Sequence, residues 1–167
     1  SPFAGVLYAG LMIVKGKPYV LEFNARFGDP ETEVILPLLK TDLVDVLEAV
    51  VEHRLDQLTV EWHNRSAVCV VMTSGGYPGA YQTGVPITGL PEKVLSGDVL
   101  VYHAGTKRQG RDVVTAGGRV LGITGVGAHF KDAMQQAYDV VRMISFDGCH
   151  YRSDIAQRAL RTGIAQT

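Results

Sequence analysis

In the segment Tyr19-Val20-Leu21-Glu22-Phe23-Asn24-Ala25-Arg26, an acid, an amide and a cation recur at every second position. Alternate side chains of an extended strand share a face, so Glu22, Asn24 and Arg26 are expected in one row, on a face that the apolar neighbours mark as buried. A carboxylate and a carboxamide oxygen two residues apart can share a small divalent cation such as magnesium, which takes oxygen ligands and keeps phosphates in its shell. The planar guanidinium fork of Arg26 suits phosphate or an acyl phosphate. Together these groups describe a phosphoryl-transfer site, where catalysis is mostly positioning and charge neutralisation. A plain structural strand accounts for the trio less well, because buried polar groups need partners.

The chain then turns through Phe27-Gly28-Asp29-Pro30. Gly28 permits backbone conformations closed to other residues, Pro30 pre-sets a first helical turn, and Asp29 is the expected cap. Glu31 and Glu33 fall in that first turn, where acids suit the positive helix end. Asp29 and Glu33 fit an ordinary strand-to-helix connection as well as they fit contacts to a substrate.

The elements that must hold these groups can be read in order. Gly5 to Val14 is an apolar strand, Lys15-Gly16-Lys17-Pro18 a turn and Tyr19 onward a second strand, an antiparallel hairpin. Thr32 to Leu39 is expected to be a short helix ending near Pro37. A second helix, capped by Thr41 or Asp42, repeats Leu43, Val44, Leu47, Val50, Val51 and Leu55 at helical spacing. Its charges, Asp45, Glu48, Glu52 and His53, read as a solvated face.

Composition turns polar from Gln57 to Asn64, which places a boundary there and a new module from about Arg65. Ser66 to Ser74 is a buried strand ending in the turn cluster Gly75-Gly76-Tyr77-Pro78-Gly79. That loop lacks the lysine of a Walker loop, so a sharp turn is favoured over a phosphate cradle. Short apolar runs at 85–87, 94–95, 99–104, 112–115 and 119–124 read as a small antiparallel sheet or half-barrel, with Lys107-Arg108-Gln109-Gly110-Arg111 as a basic hairpin tip. His103 has no second ligand at metal spacing and reads as structural. Ala128 to Ser145 carries one apolar stripe and is predicted helical, and a short helix to Leu160 follows Phe146-Asp147-Gly148-Cys149-His150-Tyr151-Arg152-Ser153-Asp154-Ile155.

The balance of 46% hydrophobic and 20% charged residues, with a formal net charge of -1, describes an ordinary globular chain and gives no basic surplus for a nucleic-acid partner. Two distant cysteines, with Cys69 read as a buried free thiol, fit a reducing cytosol. No apolar run approaches a membrane span and no leader precedes the first strand, so the chain is expected to begin within a domain and to be cytoplasmic.

The run LEFNARFGDPETE, preceded by GVLYAGLM and followed by SGGYPG, HAGT and GGRVLG, resembles the C-terminal part of the phosphoribosylamine–glycine ligase (glycinamide ribonucleotide synthetase) family of the ATP-grasp superfamily, over nearly the whole chain. The resemblance implies an α+β fold: residues 1–63 would be the C-terminal portion of an ATP-grasp domain, and 64–167 a small antiparallel sheet or half-barrel domain with a packed helix. It implies glycine, 5-phosphoribosylamine and ATP as substrates, joined through glycyl phosphate to give glycinamide ribonucleotide, ADP and phosphate in purine biosynthesis. Glu22 and Asn24 would hold Mg2+ or Mn2+, and Arg26 would neutralise charge on the transferring group. Met12 and Leu21 would line the adenine, or serve simply as core, and Gly28, Asp29 and Glu31 would border the glycine and sugar-phosphate pocket. The N-terminal region, the lid and the first half of the ATP-grasp fold would be a missing partner, without which the chain is expected to be inactive. Many ATP-grasp carboxylases carry a second acid on the first strand of the hairpin. Tyr8 to Met12 contain none, which counts against a carboxylase. Another ATP-grasp carboxylate–amine ligase and a non-catalytic folded remnant are the alternatives.

Overall fold

The computed structural model of the chain describes residues 2–91 and 98–161. Two compact units divide it, Ser1–His63 and Asn64–Thr167. Together they are a mixed α+β architecture with small antiparallel sheets and a packed helix, in line with the expected fold class.

In the first unit, β1 (Tyr8–Val14) and β2 (Lys17–Asn24) form an antiparallel hairpin. The turn is only Lys15-Gly16, both at positive φ, so Lys17 and Pro18 belong to the strand rather than to the turn. A register shift between Gly10 and Leu11 pairs Leu11 with Val20 but Gly10 with Glu22. Leu21 is therefore the extra residue of a β-bulge.

α1 (Thr32–Ile35) runs into a 3-10 turn, Leu36–Leu38, where Pro37 can supply no amide hydrogen to continue an α-helical ladder. α2 (Leu43–Val51) begins at Asp42, whose Oδ1 accepts a 2.7 Å bond from the Val44 amide. The helix is shorter than its apolar repeat suggested, because His53 adopts positive φ and Leu55 lies in a separate 3-10 turn.

The second unit contains β3 (Ser66–Thr73), β4 (Val99–His103), β5 (Thr106–Gln109), β6 (Asp112–Thr115) and β7 (Arg119–Gly127), then α3 (Phe130–Val141) and α4 (Gln157–Arg161). The sheet order is β3-β7-β4, all antiparallel, with β5-β6 as a separate hairpin. Among the described residues this is an open sheet, not a half-barrel. The 85–87 run joins β6 by a single bridge, Pro86 to Val114, and the strand expected at Val94-Leu95 lies outside the described residues.

β3 alternates as a half-covered strand should, with Val68, Val70 and Met72 buried. β7, hydrogen-bonded on both edges, is buried from Val120 to Gly127. α3 presents Ala133, Ala137, Val140 and Val141 to this core. Each fully buried Leu, Ile or Val contributes roughly 1.5–3 kcal/mol. The helix is shorter than the predicted 128–145, although Ile144 and Phe146 remain buried beyond its end.

Two of the motifs have structural roles. The Tyr77 ring of the Ser74–Gly79 loop lies against Gly118, where any added Cβ would stand 2.1 Å from the ring, and Ser74 Oγ donates to the Gly117 carbonyl at 2.9 Å. The closing motif is tied down by Tyr138, whose hydroxyl donates to the Arg152 carbonyl at 2.7 Å and accepts from the Ile155 amide at 3.0 Å. Burial is the main cause that raises the Tyr138 pKa. Neither Cys69 nor Cys149 is in a disulfide and both are only half-buried, so Cys69 is less enclosed than its apolar run suggested, and burial pushes the Cys149 thiol up.

Candidate functional site

All the residues singled out for chemistry lie in the first unit. The bulge decides which of them meet. Without it, a two-residue turn would set Glu22 opposite Ala9 and Tyr8 opposite Phe23; with it, Glu22 pairs with Gly10 and Asn24 with Tyr8, while Met12 stays opposite Tyr19. Directly opposed residues share a face, so Tyr8, Met12, Tyr19, Glu22 and Asn24 lie on one side of the ribbon and Val20 on the other. Gly10 leaves room there, since a Cβ on it would approach Glu22 Cγ to 3.1 Å.

The face is not buried as its sequence suggested: Glu22 is exposed and Asn24 half-buried. Met12, at 51% exposure, shares the face, whereas Leu21, at 64%, is the bulged residue with no cross-strand partner.

Arg26 does not continue the row, because β2 ends at Asn24 and Arg26 Nη1 turns to the Phe27 carbonyl at 2.8 Å. It rims an open cavity of about 370 Å³ with Phe27, Gly28, Asp29, Thr32 and Glu33. The structure thus makes two groups: Glu22 and Asn24 on the ribbon, and Arg26, Gly28 and Asp29 around the cavity.

Glu31 links them. Its Oε1 accepts a 2.9 Å hydrogen bond from the Tyr8 hydroxyl, and Tyr8 is the residue opposed to Asn24. Gly28 is buried directly beneath, so a Cβ there would stand 2.2 Å from Glu31 Oε2 and 3.1 Å from the Tyr8 ring. A side chain at position 28 would push the Glu31 carboxylate away from its place beside Tyr8. The bond to Glu31 is the first cause that raises the Tyr8 pKa, followed by partial desolvation and the Glu31 and Glu22 charges, so the hydroxyl is held as a donor.

Asp29 is not the helix cap. The Thr32 amide and hydroxyl both bond the Gly28 carbonyl, closing a turn that starts α1 two residues later, with Glu31 at its N-cap position and no side-chain cap. Sequence reasoning missed Tyr8, since its partner is set by the bulge, which leaves no mark in an alternating pattern.

Glu22 and Asn24 fit a divalent cation by the chemistry of their donors. Both offer hard oxygens, and two protein ligands suit magnesium or manganese that retains phosphate and water oxygens. Among the described residues no group of three or more His, Cys, Asp or Glu is placed to form an all-protein cage.

The profile described as phosphoribosylglycinamide synthetase, C domain, matches residues 67–158, and that of the ATP-grasp (A) domain of the same synthetase matches 1–32. The phosphoribosylamine–glycine ligase of Caldanaerobacter subterraneus subsp. tengcongensis is 53% identical over 154 residues, 92% of this chain and 36% of the relative. The Synechocystis sp. ligase of the same name is 52% identical over 95% of this chain and 38% of its own length. The bifunctional purine biosynthetic protein purD of Dictyostelium discoideum is 48% identical over 96% of this chain and 21% of its length. The crystal structure of the Thermotoga maritima phosphoribosylamine–glycine ligase superposes with a TM-score of 0.77 at 40% identity, covering 90% of this chain and 36% of that one. The chain therefore spans a little over a third of the length of the single-function relatives it resembles.

Proposed function

The chain belongs to the phosphoribosylglycinamide synthetase family, and from that premise we propose that it supplies part of the active site of an ATP-dependent ligase joining glycine to 5-phosphoribosylamine. The glycine carboxylate attacks the ATP γ-phosphorus, releasing ADP and forming glycyl phosphate. The amine of 5-phosphoribosylamine then attacks the acyl carbon, phosphate leaves, and glycinamide ribonucleotide is formed. Glu22 and Asn24 hold Mg2+ or Mn2+, which when bound neutralises phosphate charge. Arg26 binds the transferring phosphoryl group with its guanidinium fork. Met12 packs against adenine from the face it shares with Glu22, and Leu21 contributes from the bulge. Gly28, Asp29 and Glu31 border the glycine and sugar-phosphate pocket, with Glu31 steered by Tyr8.

A preceding part of the same polypeptide is the partner this reading requires. It supplies the rest of the ATP-grasp fold and covers the hairpin, whose Leu11, Ile13, Val20 and Phe23 are half or more exposed. Without it the chain is inactive. Among the described residues no helix is long and apolar enough to cross a membrane. A cytoplasmic enzyme is part of the same proposal.

The observation that carries the proposal is the bulged register that sets Glu22 and Asn24 on one face, linked through Tyr8 and Glu31 to a cavity rimmed by Arg26. Glycine- and 5-phosphoribosylamine-dependent ADP release by a chain of the relatives' full length tests it. Glu22→Ala should abolish metal-dependent turnover with the fold intact. Unchanged rate and metal dependence would remove Glu22 as a ligand.

A further inference from the structure

The cavity rimmed by Arg26 and Asp29 is lined also by Phe27, Gly28, Thr32 and Glu33, and neither Tyr8 nor Glu31 is among its lining residues. The Glu31 carboxylate stands instead against Gly28. A Cβ built on that glycine would lie 2.2 Å from Glu31 Oε2 and 3.1 Å from the Tyr8 ring. Gly28 is therefore a wall one residue thick, with the cavity against it and the Tyr8–Glu31 pair packed where its side chain would be.

Two of the bonds that shape the segment after β2 are local. Arg26 Nη1 donates to the carbonyl of its neighbour Phe27 at 2.8 Å, and the Thr32 amide donates to the Gly28 carbonyl at 3.0 Å. The Tyr8 hydroxyl on Glu31 Oε1, at 2.9 Å, instead joins residues 23 positions apart and ties the segment to β1. Tyr8 and Glu31 are both half-buried, and a hydrogen bond to a carboxylate is stronger than a neutral one. The register sets Tyr8 opposite Asn24, the last residue of β2. The tie is thus made at the point where the strand gives way to the residues that carry Arg26 and Asp29.

We propose that Tyr8 is a positioning residue for this pocket: by holding the Glu31 carboxylate against Gly28 it sets the backbone of 26–29, and with it the aim of Arg26 and Asp29. Tyr8 acts through Glu31 and Gly28 and does not touch what the pocket binds. The inference rests on the ligase reading of this cavity and adds to it a residue that governs how well the small substrates are held. A group displaced by a fraction of its proper geometry weakens binding even though no contact to the substrate has been deleted.

The test uses a chain of the relatives' full length and two readouts, steady-state kinetics and hydrogen exchange across 26–33. Tyr8→Phe should raise the KM of glycine or of 5-phosphoribosylamine about tenfold while kcat and the KM of ATP stay within about threefold. Exchange across 26–33 should quicken, and exchange in β3 and β7 should not change. Gly28→Ala, which displaces the carboxylate from the glycine's side, should act in the same direction. Combining the two should be no worse than the more damaging single change, because both break one contact. Glu31→Gln, whose amide oxygen still accepts from the Tyr8 hydroxyl, should lose less than Glu31→Ala. KM values at the wild-type level in Tyr8→Phe, whatever the exchange shows, would overturn the proposal, as would additive losses in the double variant or an equal rise in KM for all three substrates. A wild-type chain of full length without glycine-dependent ADP release would sink the ligase reading instead. Exchange then still decides the hold on 26–33: quickened by Tyr8→Phe it is supported, unchanged it is refuted.

Discussion

β7 in the second unit is buried from Val120 to Gly127, whereas the β1-β2 hairpin of the first leaves Leu11, Met12, Ile13, Val20, Leu21 and Phe23 half or more exposed. Both stretches are apolar and extended. β7 is hydrogen-bonded on each edge and covered by α3, while β1 and β2 have only each other among the described residues. A two-stranded ribbon in water is marginal by itself, and three strands with a covering helix are not. Apart from Ala49, every buried apolar side chain among the described residues lies in the second unit. The half that carries the candidate ligase chemistry therefore lacks a core of its own, and the half that has the core carries none of those residues.

Substitutions can break that contrast. The largest effect should come from Leu121→Ala, which opens a cavity in the fully buried centre and should cost about 2–5 kcal/mol by denaturant unfolding. Leu21→Ala, of identical chemistry on the exposed bulge, should stay within about 0.5 kcal/mol. Equal costs would mean that the hairpin is packed after all. Next is Tyr138→Phe, which strands the Arg152 carbonyl and the Ile155 amide and should cost about 1–3 kcal/mol.

In the first unit, Asp42→Ala removes the cap of α2 and should cost about 0.5–2 kcal/mol of local stability, read as lost helical ellipticity. The smallest effect belongs to the exposed pair Lys40–Glu61, 2.8 Å apart. The bond to Lys40 holds the Glu61 carboxyl below its ordinary value, so its contribution is present above that value and is lost as pH falls through the folded pKa. Glu61→Gln should flatten that small acid-side dependence in a pH series of unfolding midpoints.

Much of this was legible from residue types. The hairpin, the Asp42-capped helix, the β3 alternation and the amphipathic α3 follow from periodicity and cap chemistry, which are local. The α2 and α3 ends came out shorter than their stripes, because apolar residues such as Leu55 and Ile144 can pack beyond a helix as well as within it. At the candidate site the alternation of Glu22 and Asn24 was readable, but Arg26 left the row when the strand ended. Tyr8 was hidden because cross-strand partners depend on a bulge one residue long. The role of Tyr77 on Gly118 is a contact between segments far apart in the chain, which no local pattern encodes.

Amide hydrogen exchange on the 167-residue chain, compared residue by residue between β1-β2 and β3-β7, tests the central contrast most directly. The account predicts that Val70, Leu121 and Ile123 exchange only through global opening, while the amides of Leu11 to Val14 and Tyr19 to Asn24 exchange many orders faster. Protection of the hairpin equal to that of β7 would contradict it.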